Sequence, residues 1–165
     1  LADTKMYLDD TPGMTISEIR AKCRRLASSE DGLGIVIIDY LQLINGSARY
    51  AGNRQQEVSE ISRALKMLAM ELEIPVIALA QLSRTVDGRE DKRPILSDLR
   101  ESGSIEQDAD IVMFIHREAF YTKTPQNENE ATISIAKNRH GKTGVCNIKF
   151  YGNIATFEES KNENF

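Results

Sequence analysis

Asp39 closes the run IVIID (35–39), four aliphatic residues followed by a carboxylate. Such a run reads as a strand buried on both faces of a parallel sheet, and α/β folds bind their ligands beyond the C-terminal ends of such strands. It is also the form of a Walker B strand, whose acid holds the Mg²⁺ of a nucleoside triphosphate directly or through water. An Asp at a strand end equally serves to cap the next helix, and the residues leave the two readings level. Gln81 ends the run VIALAQL (76–82) in the same manner. A neutral amide there orients a water or senses a γ-phosphate without adding negative charge; the plainer reading is a bond to a loop backbone. Two polar ends on consecutive parallel strands face one crevice, which favours a shared role.

The turn KNRHGK (137–142) carries Lys137, Arg139, His140 and Lys142 and no acid. In an acidic chain this local reversal suits phosphate binding, or an arginine finger reaching into a partner's site; a solvated hairpin tip is the bland alternative. The GKT at 141–143 is not a phosphate-binding P-loop. Ala136 stands where that motif needs glycine, and the segment joins two strands rather than a strand and a helix. In DLRESGSIEQDAD (98–110), Arg100 and Gly103 could meet phosphates through a side chain and a backbone N–H. The segment has no aromatic residue for base stacking, so contacts there would follow the nucleic-acid backbone and ignore base sequence. The low-regularity stretch from Ser83 to Asp110 is long for a mere connection, although a surface loop is the plain reading. His116 and His140 have no ligand constellation around them, Cys23 and Cys146 sit in amphipathic patterns, and Met14, Met67, Met70 and Met113 read as gap fillers.

The elements that must hold these residues follow from periodicity. Thr15 with Glu18 three residues on forms a capping box, and Ile16, Ile19, Cys23 and Leu26 recur at helical spacing. Val58, Ile61, Leu65, Leu68 and Leu72 form a second amphipathic helix that Pro75 stops. MYLDD (6–10), IVIID, VIALAQL and IVMFIH (111–116) read as strands, with one short helix near Ile105. ATISIAK (131–137) and VCNIKFY (145–151) alternate and read as a hairpin, with NIATFEE (153–159) as an edge strand. NGSARYAGN (45–53) reads as a polar loop. The fold class is therefore α/β, a layered domain whose sheet begins parallel and ends antiparallel.

The 165 residues suit one domain, spanning 1–158 with a frayed tail at 159–165, and the net charge of −4 excludes a wholly basic nucleic-acid binder. A chain of this size buries about 70% of its unfolded surface and needs no staple. Two distant cysteines match no zinc or redox spacing, which points to a reducing compartment. The absence of a membrane-length apolar run or a signal peptide pattern points to a cytoplasmic protein with no membrane partner. The start at LADTK, without Met, reads as a piece of something longer.

GLGIVIIDYLQLI (32–44), EVSEISRALKMLAMELEIPVIALAQLSR (57–84), DKRPILSDLRESGSIEQDADIVMFIHRE (91–118) and AKNRHGKTG (136–144) together resemble the RecA-like C-terminal motor of bacterial replicative helicases, the DnaB family. The resemblance covers nearly the whole chain, with 45–56, 121–130 and the tail its weakest parts. It implies a RecA-like domain with a mainly parallel central sheet and C-terminal antiparallel strands, missing its N-terminal P-loop part. Asp39 would be the Walker B acid at Mg²⁺ and Gln81 the amide that senses the γ-phosphate of ATP. Lys137 and Arg139 would be inserted in trans into a neighbour's ATP site. Arg100, Glu101 and Gly103 would lie on the channel loop that tracks single-stranded DNA, with Asn53 and Arg54 facing the same channel. The family's P-loop lysine and threonine and its catalytic glutamate precede the first residue here, so the chain alone should not hydrolyse ATP. The parent would be a homohexamer that moves 5′ to 3′ and unwinds duplex, and meets primase, a helicase loader and clamp-loader proteins. Other readings are a RecA-like recombinase, or a nucleotide- or DNA-binding regulatory module that does not hydrolyse.

Overall fold

The computed structural model describes residues 4–50, 52–122, 124 and 126–160, with backbone alone for 100–102. The chain forms two compact units, Leu1–Gln81 with Glu101–Asp108, and Leu82–Arg100 with Ala109–Phe165.

In the first unit, α1 (Ile16–Ala27) starts where the capping box places it. The Thr15 N–H donates to Glu18 Oε2 at 2.8 Å, and the Glu18 N–H donates back to Thr15 Oγ1 at 3.3 Å. Two of the unpaired donors at the helix start, the Thr15 and Glu18 N–H groups, are thereby satisfied. α2 (Arg54–Leu72) opens on Asn53, whose side chain accepts from the Gln56 N–H, and ends at Glu73 in the left-handed region, two residues before Pro75. The stripes at spacings of three and four meet as expected: Ile16, Ile19 and Cys23 pack with Ile61, Leu65 and Leu68, and Leu41 and Ile44 complete the core. Ile61 and Leu68 are fully buried. α3 (Gly103–Asp108), the short helix expected near Ile105, rests on α2, with Ser104 Oγ donating to Ser59 Oγ at 2.9 Å.

β1 (Val36–Ile38) and β2 (Val76–Ala78) flank α2 and pair in parallel, Val36 against Val76 and Ile38 against Ala78. The expectation that these strands are buried on both faces is corrected. Val36, Ile38 and Val76 pack on the core, but Ile35, Ile37, Ile77 and Leu79 are exposed. Among the described residues the sheet has two strands and its helices lie against one face, so half of each aliphatic run has nothing to bury against. MYLDD is likewise no strand: no described segment pairs with it, and its residues are exposed. Its acids serve locally, Asp9 pairing with Lys22 of α1. That ammonium, with the Thr11 side chain and N–H, holds the Asp9 carboxyl down at about 2.

The second unit is an antiparallel meander of β3 (Ile111–His116), β4 (Glu130–Asn138), β5 (Gly144–Tyr151) and β6 (Thr156–Glu159), paired in chain order with β6 at the edge. β3 alternates: Val112, Phe114 and His116 are buried while Ile111, Met113 and Ile115 are exposed. The order parallel then antiparallel holds, but as two separate sheets. β3 bonds β4 and no parallel neighbour among the described residues. The Ser83–Asp110 stretch is less irregular than its composition suggests, carrying short 3-10 helices at Arg84–Gly88 and Leu96–Ser102 before α3. Of the expected tail, Glu159 closes β6 and residues 161–165 lie outside the described residues.

Candidate functional site

Asp39 is the first residue past β1, and Gln81 lies three residues past β2 at the same end of the parallel pair. Backbone bonds carry the pairing beyond the strands themselves. The Leu79 N–H donates to the Ile38 carbonyl at 2.9 Å, and the Leu41 N–H donates to the Leu79 carbonyl at 2.9 Å. Both Asp39 and Gln81 are exposed, so their side chains are offered to solvent rather than consumed by the core. The Asp39–Tyr40 peptide is cis, and a 3-10 turn, Leu41–Leu43, follows it.

That turn supplies a residue that the sequence does not flag. The side-chain amide of Gln42 donates to the Gln81 carbonyl at 3.1 Å and accepts from the Gln81 N–H at 3.2 Å. The Gln81 main chain is thus bracketed at both polar atoms. Gln42 is anchored in turn, its own carbonyl accepting from Arg54 Nη2 at 3.0 Å while Arg54 Nη1 binds Glu57 at 3.0 Å. Arg54 and the capping Asn53 therefore each have a local structural task in this unit. Among the described residues, no group of three or more His, Cys, Asp or Glu could enclose a metal. One exposed carboxylate suits Mg²⁺ held mainly by phosphates and water, a cation that seldom takes an all-protein cage.

In the second unit, Lys137 and Arg139 are brought together against the residues that lead into β3. Lys137 Nζ donates to the Ala109 carbonyl at 2.8 Å. The Arg139 N–H donates to the Asp110 carbonyl at 2.9 Å, and Arg139 Nη1 binds Asp110 Oδ1 at 3.0 Å. The turn orders itself around Asn138, whose Nδ2 donates to the Lys142 carbonyl at 3.2 Å and whose Oδ1 accepts from the His140 N–H at 3.3 Å. Gly141 lies directly over this amide: a Cβ there would stand 2.6 Å from Asn138 Nδ2, so a side chain at that position would have to displace the amide that orders the turn. His140 and Lys142 stay exposed at its end.

Arg100 and Glu101 lie in the 3-10 helix Leu96–Ser102, and Gly103 opens α3. The side chains of Arg100 and Glu101 fall outside the described residues, while the anchor just before them is well defined. Asp98, 3% exposed, accepts from Arg89 Nη1 at 2.9 Å, Arg89 Nη2 at 2.8 Å and the Ile95 N–H at 2.8 Å. Its carbonyl accepts from the Ser83 N–H at 3.0 Å. This fork-to-fork pair is the strong form of a charge-assisted bond. Reading the sequence missed Arg89 and Asp98 as partners, because an ion pair nine residues apart in a loop has no periodic signature.

Structural comparison places the chain among helicase ATPase domains. It superimposes on a solved ATPase domain with a TM-score of 0.90 at 40% identity, covering 97% of this chain and 56% of that one. Against a DnaB-like replicative helicase solved in a study of its interactions with primase, the TM-score is 0.86 at 42% identity, covering 93% of this chain and 36% of that one. Residues 1–159 match the DnaB-like helicase C terminal domain family, to which the chain belongs. It is 61% identical over 150 residues to the replicative DNA helicase DnaC of Bacillus subtilis (strain 168), covering 91% of this chain and 33% of that protein. It is 55% identical over 157 residues to the replicative DNA helicase DnaB of Leifsonia xyli subsp. xyli (strain CTCB07), covering 95% of this chain and 34% of that protein. The chain thus spans about a third of the length of these relatives.

Proposed function

We propose that this chain is the part of a replicative DNA helicase motor that completes an ATP site and grips single-stranded DNA. The observation that carries the reading is the placement of Asp39 and Gln81 at one end of two paired parallel strands, both side chains exposed. In this reading Asp39 receives Mg²⁺ with the triphosphate, and Gln81, its main chain clamped by Gln42, presents an amide toward the γ-phosphate. Bound Mg²⁺ supplies charge neutralisation on the phosphates. The P-loop and the catalytic glutamate come from sequence outside this chain. Lys137 and Arg139, on a turn that is ordered by its own side chains, reach the ATP site of a neighbouring copy in a homohexamer. Arg100, Glu101 and Gly103 follow the DNA backbone in the central channel. Primase, a helicase loader and clamp-loader proteins are the expected partners, in the cytoplasm. No described helix is long and apolar enough to cross a membrane.

The test is strand displacement by a full-length protein carrying this chain, on duplexes with a single-stranded tail at either 5′ or 3′ end. ATP-dependent unwinding from the 5′ tail alone is the expected result. ATP hydrolysis without unwinding on either substrate would favour the recombinase-like alternative.

The channel assignment has its own check. Arg100→Ala is expected to weaken single-strand binding and to flatten the plot of log affinity against log salt by about 0.7 for the lost phosphate contact. An unchanged slope removes Arg100 from the DNA path.

A further inference from the structure

Arg139 does not stand alone at its turn: Asp110 holds both its main chain and its guanidinium. The Asp110 carbonyl accepts from the Arg139 N–H at 2.9 Å, and its carboxylate accepts from Arg139 Nη1 at 3.0 Å. The neighbouring Ala109 carbonyl takes Lys137 Nζ at 2.8 Å, so the lead into β3 acts as a seat for Lys137 and Arg139 together. We propose that Asp110 is a positioning residue for Arg139, fixing the direction in which the guanidinium leaves the hairpin before any nucleotide is present. The proposal rests on the reading of Arg139 as a finger and goes one step beyond it.

Three observations support a positioning role over a structural one. The pair is half-exposed, with the two side chains 45% and 40% accessible, and ion pairs in that setting add little to folding stability. The hairpin is already registered without the carboxylate, through the Arg139 main-chain bond, the Asn138 amide and the antiparallel ladders of β4 with β5 and with β3. A guanidinium is a rigid planar fork, so a carboxylate held on one of its nitrogens fixes the direction of the whole group. An arginine able to rotate at will would reach the same phosphate but spend most of its time elsewhere, and small misplacement of a catalytic group is expensive in rate.

The experiment measures single-turnover ATP hydrolysis, with single-stranded DNA present, in the full-length helicase carrying this chain. Asp110→Ala is expected to slow hydrolysis by about 10–100-fold with the ATP concentration dependence nearly unchanged. Asp110→Asn, which keeps an acceptor of the same length, is expected to recover much of the loss, and serves in place of alanine should that variant fold poorly. The same substitutions are then made in an Arg139→Ala background, where they should cost nothing further. If Arg139→Ala is slow but Asp110→Ala and Asp110→Asn are as fast as wild type, the proposal is wrong and the finger reading survives. Equal losses in both backgrounds also overturn it, since Asp110 would then act on something other than Arg139. If Arg139→Ala itself hydrolyses normally, the finger reading has failed and Asp110 has nothing to position.

Discussion

Arg139→Ala in a full-length helicase is expected to lower DNA-stimulated ATP turnover by about 10³–10⁵-fold while leaving nucleotide binding in place. The size of the effect follows from where charge develops. Phosphoryl transfer spreads negative charge over the equatorial oxygens, and in the proposed reading a guanidinium from a neighbouring subunit would meet that charge. In the resting chain Arg139 is 45% exposed and bonded to Asp110, so its ground-state role is small and its removal should not unfold the turn. Asn138 and Gly141 shape that turn without it. Equilibrium binding of a fluorescent ATP analogue, set beside steady-state hydrolysis, separates the two effects. Turnover within a few-fold of wild type would remove Arg139 from the catalytic machinery.

Asp98→Ala is expected to cost about 2–4 kcal/mol in the second unit and to loosen the segment that carries Arg100. Asp98 is 3% exposed and accepts three hydrogen bonds, two of them from one guanidinium. Its loss leaves the Ile95 N–H, in a part-buried bond on a half-exposed residue, without its acceptor, and water takes up part of that cost. The other half of the pair is less exacting. Arg89 is 31% exposed, so its guanidinium swings into water, which keeps the loss below that of a wholly buried pair. Amide hydrogen exchange reads the effect locally: the Ser83, Ile95 and Asp98 amides should exchange faster, and denaturant melting should show the loss of stability. Protection at wild-type levels would show that the ion pair is not what anchors this stretch.

What could be read from the residue order is what periodicity and local chemistry encode. The capping box at Thr15 and the stripes of α1 and α2 are contacts between near neighbours in sequence, and they form as read. The alternating strands after Ala131 announce their own partners across a short turn. Asp39, Gln81 and the basic turn stand out as candidates because each breaks the character of its surroundings: a polar end on an aliphatic run, a cationic knot in an acidic chain. Burial of β1 and β2 on both faces was not met, because an aliphatic run reports what a strand is suited to cover and not whether a covering layer is present. MYLDD failed for a related reason, since a strand needs a neighbour and none of the described segments offers one. Gln42, Asp98 with Arg89, and Asp110 were invisible as partners because each acts through side-chain bonds to residues that the fold alone brings near.

The Gln42 bracket on Gln81 has a meaning for the chemistry available at that spot. A side-chain amide is the same functional group as a peptide unit, and here it donates and accepts as a continuation of the β1 backbone would. The ladder of β1 and β2 is thereby lengthened by one rung that no strand supplies. Such a rung is electrically neutral and insensitive to proton concentration, so it stiffens the ground beside Asp39 without competing for a cation. It is also exacting about length and type. Asparagine is one methylene short, and glutamate at neutral pH has no donor to give the Gln81 carbonyl and would turn an oxygen against it. Position 42 is therefore a place where one carbon or one proton decides whether Gln81 is held at all beyond the main-chain bonds of Leu41 and Leu79.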